Sequence, residues 1–177
     1  MLNILAISGS LRADSYNTAL LQNAAKLNFP GISLTMFNLL AQIPLFNPDI
    51  KLADLPEPVS KLRQMIDHSD AIIISTPEYA HGIPGALKNA LDWLVSFNEI
   101  ILKPVAVMSV STSELGAYRA HSALIKVLHA MNTNVIIDAS LNVPFAKLKF
   151  NAQGELIDSG TLLSLENALT RITVCIE

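Results

Sequence analysis

The chain has 177 residues, 51% of them hydrophobic and 15% charged, with a formal net charge of −3 and one cysteine. That length suits a single domain spanning 1–177, able to bury roughly 70% of its unfolded surface without metals or disulfides. No basic block favours nucleic acid, no apolar run approaches the roughly 18 residues of a membrane span, and Cys175 has no partner for an internal disulfide.

The first residues lead into a strand pattern, Ile4 to Ser8, with no basic start or apolar stretch ahead of a cleavage site. A signal peptide is therefore not expected and a cytoplasmic location is. The strand, at about 3–8, feeds a loop and then a helix at about 16–28, with Leu20, Ala24 and Leu27 on one face. The loop offers hydroxyls (Ser8, Ser10, Ser15), the Arg12 guanidinium, the Asn17 amide and a flexible Gly9. A phosphate monoester needs several such donors at once, and a helix N-terminus adds oriented N–H groups and a partial positive charge. Ser15 also suits the helix cap, a role compatible with phosphate contact. The dinucleotide and nucleoside-triphosphate glycine fingerprints are both absent.

A strand at about 32–37 is followed by an irregular stretch over 38–56 and a helix at about 57–67. Loops of that length are usually functional, and the apolar Ile43, Leu45 and Phe46 need cover, from their own domain or from a second subunit. Next comes a strand at about 70–75, its Ala71-Ile72-Ile73-Ile74 run reading as buried on both faces. Thr76-Pro77-Glu78-Tyr79-Ala80-His81-Gly82 follows as an amide-rich loop, suited to a flat ligand such as a flavin ring. Pro84 opens a helix at about 84–97 whose apolar face is Leu87, Ala90, Leu91, Leu94 and Val95, with Trp93 one residue off it. A strand at about 104–109 leads to the loop Ser109–Arg119, then a helix at about 119–131, a strand at about 134–138, a turn over 150–158 and a last helix at about 160–174.

Alternation of this kind implies a parallel sheet with helices on both faces, and in such folds ligands sit at the carboxyl ends of the strands. Glu78 reads as a loop-shaping residue, and His81 as positional or solvent-facing. His68, His121 and His129 show no metal-ligand spacing, and no metal is expected.

Gly9, Ser10, Arg12, Ser15 and Asn17, together with Pro77-Glu78-Tyr79 and Pro84 to Trp93, make the chain resemble the NAD(P)H-dependent FMN reductase and quinone reductase family. Ala80 stands where the family commonly has Asn, Gly82 where it has Ser, and only Gly116 remains of a glycine-rich fourth loop. The resemblance implies a flavodoxin-like, doubly wound five-stranded sheet of order 2-1-3-4-5. It implies FMN as cofactor, NADPH or NADH as donor, small-molecule acceptors (free FMN, quinones, azo compounds, chromate) and a ping-pong cycle. The implied cofactor contacts are Ser10, Arg12, Ser15, Tyr16 and Asn17 at the phosphate, and Pro77, Glu78, Tyr79, Ala80, His81, Gly82, Ser111 and Gly116 around the ring, with no catalytic acid or base. High apolar content and the 38–56 loop favour a homodimer or homotetramer. Two alternatives stay open: a flavin-binding electron carrier, and a reductase that exchanges FMN as a substrate.

Overall fold

The computed structural model describes residues 1–27 and 29–176. In chain order it contains β1 (Leu2–Ser8), α1 (Tyr16–Lys26), β2 (Ile32–Phe37), α2 (Glu57–Asp67), β3 (Ala71–Thr76), α3 (Gly85–Leu94), β4 (Pro104–Val110), α4 (Tyr118–Ala130), β5 (Asn134–Val135), β6 (Leu141–Val143), α5 (Ala146–Lys149) and α6 (Ser159–Ile176). The expected first helix runs on to Asn28, which lies outside the described residues.

All strands pair in parallel, in the order β2-β1-β3-β4-β5, with β6 also on β4. This is the flavodoxin-like arrangement, in which the order reverses between β1 and β3. β3 is buried at every residue and β4 at all but its first. Successive side chains therefore enter opposite layers. Leu5, Ile7, Ile72, Ile74, Val105 and Val107 join α2, α3 and α4 in one core. Ile4, Ala6, Ala71, Ile73, Ala106 and Met108 join α1 and α6 in the other.

The expected strand over 134–138 is corrected: it is two short strands. Asn134 and Val135 pair with Pro104 and Val105, a tight helical turn over Ile137–Ala139 interrupts, and Leu141–Val143 resumes beside Met108–Val110. Ile136 and Ala139 are buried while Ile137 is 56% exposed, so a period-two strand does not fit this stretch. The 150–158 turn closes through a bridge between Phe150 and Leu156.

The 38–56 loop packs on its own domain. Ile43 is buried, the Trp93 indole and the Asn89 amide both donate to the Pro44 carbonyl at 2.8 and 2.9 Å, and Asn89 Oδ1 accepts from the Phe46 amide at 2.8 Å. Phe46 meets Trp93 edge-on at 5.3 Å. Phe46 is thus an internal anchor, whereas Leu45 is 85% exposed. Phe46→Ser should cost about 1–2 kcal/mol of stability and Leu45→Ser no more than about 0.5. Urea unfolding of the two variants checks this; equal losses would contradict the packing.

Candidate active site at the carboxyl ends of β1, β3 and β4

Register brings four loops to one edge. Ser8 pairs with Ser75, Thr76 with Ser109, and Ser109 with Asn142, so the loops after β1, β3, β4 and β6 leave the sheet side by side. Their closeness is direct: Ser10 Oγ lies 3.4 Å from the Tyr79 hydroxyl.

The first loop is drawn inward by the Gly9 amide, which donates to the Ser75 carbonyl at 2.8 Å. A Cβ on Gly9 would stand 2.8 Å from a terminal methyl of Leu87, so glycine lets the loop lie flush on α3 without displacing that side chain. Ser15 has an extended backbone and its hydroxyl accepts from the Thr18 amide at 3.4 Å, capping α1. The Tyr16 and Asn17 amides in that first helical turn have no intrahelical partner to donate to. Arg12 is exposed, and the Tyr16 ring packs on Phe150 at 5.4 Å.

Asn17 differs from the expectation of a phosphate-facing side chain. Its residue is 2% exposed, its Oδ1 accepts from Ser75 Oγ at 2.8 Å and from the Val110 amide at 3.0 Å, and its Nδ2 donates to the Val110 carbonyl at 3.0 Å. Burial turns the side chain into a brace between α1, β3 and β4, while its backbone N–H lies in the first helical turn.

Loop three contains a tight two-residue turn. Tyr79 and Gly82 exchange amide-to-carbonyl hydrogen bonds at 3.1 and 3.0 Å, with Ala80 and His81 between them at φ 49° and 63°. These bonds occupy the Tyr79 and Gly82 amides within the turn itself. The Ala80 and His81 amides keep no backbone partner among the described residues. Left-handed backbone is costly for residues with a Cβ, so outside bonds must hold the turn in shape. Glu78 provides them: its Oε2 accepts from the Arg119 amide at 2.9 Å and the Ala120 amide at 3.2 Å, at the start of α4. His81 Nδ1 lies 3.2 Å from Glu78 Oε1 and 3.2 Å from the Arg119 guanidinium. Burial pushes the Glu78 carboxyl up, but hydrogen bonds from His81 and from the two α4 amides, with the Arg119 charge, outweigh it and hold the group below the usual carboxylate range.

The fourth loop is fixed from β6, a strand not foreseen in the sequence. Ser111 donates its amide to the Val143 carbonyl at 3.1 Å, and its hydroxyl lies 3.1 Å from that of Ser113. Asn142 Nδ2 reaches Ser109 Oγ at 3.0 Å and the Gly116 carbonyl at 2.8 Å. Gly116 sits at φ 57°, and a Cβ there would fall 2.2 Å from Asn142 Oδ1, so its role is to admit Asn142. Behind it, Ser109 Oγ lies 3.0 Å from His121 Nδ1, and burial pushes the His121 imidazole pKa down.

The strand order, with its loops gathered at one edge, defines an α/β fold of the flavodoxin type. Residues 2–147 match the family described as NADPH-dependent FMN reductase, and the chain belongs to that family. It is 36% identical over 159 residues to an NAD(P)H-dependent FMN reductase of Pseudomonas aeruginosa, covering 89% of this chain and 85% of the relative. It is 31% identical over 173 residues to a quinone reductase of Escherichia coli, covering 96% and 92%. A flavoenzyme NAD(P)H:(acceptor) oxidoreductase from Paracoccus denitrificans superposes with a TM-score of 0.87 at 29% identity, covering 98% of this chain and 96% of that one.

Arg119, Asn142 and Ser109 are site-building residues that the sequence reading did not single out. Ser109, at the end of the strand expected over 104–109, and Arg119, at the end of the loop after it, could have been flagged by position; Asn142 had no such signal while β6 went unseen.

Two predictions follow from this geometry. Asn17→Ala strands Ser75 Oγ and both polar groups of Val110 in a dry interior. It should cost about 2–4 kcal/mol in urea unfolding of the ligand-free protein, against no more than about 0.5 for Arg12→Ala. For Glu78, a folded pKa below the unfolded value means stability that is fully present above the ordinary Glu pKa of about 4.3 and is lost as pH falls through the folded value. Glu78→Gln should therefore flatten the acid loss of stability. It should not abolish the loss, because Glu99, paired with Arg63, and Asp158, bonded to Thr161, are depressed as well. An unchanged acid profile in Glu78→Gln would contradict the tether.

Proposed function

We propose that this chain is an NAD(P)H-dependent reductase that holds one FMN per subunit at the carboxyl ends of β1, β3 and β4, and passes two electrons to small acceptors such as quinones, azo compounds, chromate or free FMN. The observation that carries the reading is the donor set around α1. Ser10 and Ser15 hydroxyls, the amides at the start of the helix and the exposed Arg12 all belong to the one segment that joins β1 to α1, beside a glycine close to Leu87. That set suits a dianionic phosphate monoester: many neutral donors, one cation and a helix N-terminus.

Bound there, FMN would supply hydride chemistry between a nicotinamide and a second substrate. The chain's own part is positional. Tyr79, 46% exposed and joined to Ser10, would wall the space between phosphate and ring, above the buried Pro77. The Ala80 and His81 amides, with Gly82 closing their turn, are the donors left for a ring edge. Ser111, beside Gly116, offers a hydroxyl from the facing loop. Donors at that edge favour negative charge developing on the ring. Glu78 is committed to α4, so no general base is assigned, consistent with hydride transfer needing none.

The same reading includes a cytoplasmic homodimer or homotetramer. The exposed Leu45, at the tip of a loop clamped by Trp93, is its candidate subunit contact. No helix among the described residues is long and apolar enough to cross a membrane.

Phosphate recognition is tested by comparing two flavins. Arg12→Ala should weaken FMN by roughly 10- to 150-fold, the value of a charge-assisted bond, while riboflavin changes little. Equal losses for both, in titrations by flavin fluorescence, would remove the assignment.

A further inference from the structure

Phe145 occupies a backbone conformation that L-residues rarely adopt, with φ 53° and ψ 43°. Its side chain gains little burial in return, since the residue is 47% exposed. The chain is anchored around it: Val143, two residues before, is 1% exposed and Ala146, the next residue, is fully buried. The Phe145 amide donates to the Ser113 carbonyl at 3.1 Å, and the Ala146 amide to the Ser111 carbonyl at 3.0 Å. The bonds that hold the fourth loop therefore also hold the Phe145 backbone, just past the carboxyl end of β6. Strain of this kind, over-determined by its surroundings and placed at a site, is an observation from which a functional role can be argued. A bulky aromatic displayed on a rigid platform offers a face for another flat ring.

We infer that Phe145 is the wall against which a planar organic electron acceptor of the quinone class lies at the mouth of the crevice, an inference that rests on the reductase reading above. An acceptor without a ring gains nothing from that face. Phe145 thus sets preference among acceptors and takes no part in the electron transfer itself.

The test uses the FMN-loaded protein, its Phe145→Gly and Phe145→Asn variants, and Phe145→Tyr. Gly and Asn both accept the left-handed backbone, so either can stand in if the other folds poorly. Binding of menadione to the oxidised protein, with no nicotinamide present, is read by flavin fluorescence. The KM for menadione and for ferricyanide is read separately in turnover. The Gly and Asn variants should bind menadione about three- to tenfold more weakly, with Tyr restoring it and ferricyanide unaffected. Unchanged menadione binding, or equal losses for menadione and ferricyanide, would overturn the role. So would a fall in sedimenting mass with menadione binding intact, since the ring would then serve a second copy of the chain. A wild-type protein that takes up no FMN would instead defeat the reductase reading and this inference together.

Discussion

One buried side chain holds the crevice together. Asn17 sits in the first turn of α1, yet its amide satisfies Ser75 on β3 and both backbone groups of Val110 at the end of β4. In a parallel sheet, strands end in carbonyl and amide groups that the ladder no longer pairs, and burying them unpaired is expensive. Asn is suited to this place because it donates and accepts through one planar group. By closing the edge of the sheet, it fixes where α1 begins, and so where the free amides of that helix point.

The loops above this brace are shaped by bonds between loops more than within them. Glu78 from the third loop caps α4, which starts the element after the fourth. Asn142 from β6 holds the Gly116 carbonyl. Ser10 meets Tyr79 across the crevice. Each of these ties replaces conformational freedom with a fixed geometry, a condition for a site that orients a cofactor without reorganising. The left-handed Ala80 and His81 are the clearest sign of the arrangement: neither residue type favours that backbone, and the Tyr79–Gly82 exchange together with Glu78 keeps it in place.

The central strands were legible in the sequence because burial on both faces leaves an unbroken apolar run, as in Ala71–Ile74 and Val105–Met108. The five long helices were legible too, α1 and α3 from their apolar stripes, whereas the single turn α5 was not foreseen. What could not be read was whatever depends on partners distant in sequence. The inward turn of Asn17 is settled by Ser75 and Val110, which lie 58 and 93 positions away. The division of the last strand depends on how much of β4 remains unpaired, which no local pattern records. Phe46 and Leu45 look alike as exposed apolar neighbours until Trp93 takes one of them. The loop motifs fall at one edge of the sheet; which of their atoms are already spent there emerged only from the packing.

The central claim is that this crevice holds FMN and exchanges its electrons with a nicotinamide. Anaerobic stopped-flow mixing of the FMN-loaded protein with NADH and, separately, NADPH reads this directly from the visible flavin absorbance. The account predicts rapid loss of that absorbance with at least one nucleotide, in a single two-electron phase, and its return when a quinone is added. Flavin that stays oxidised in the presence of both nucleotides would contradict it.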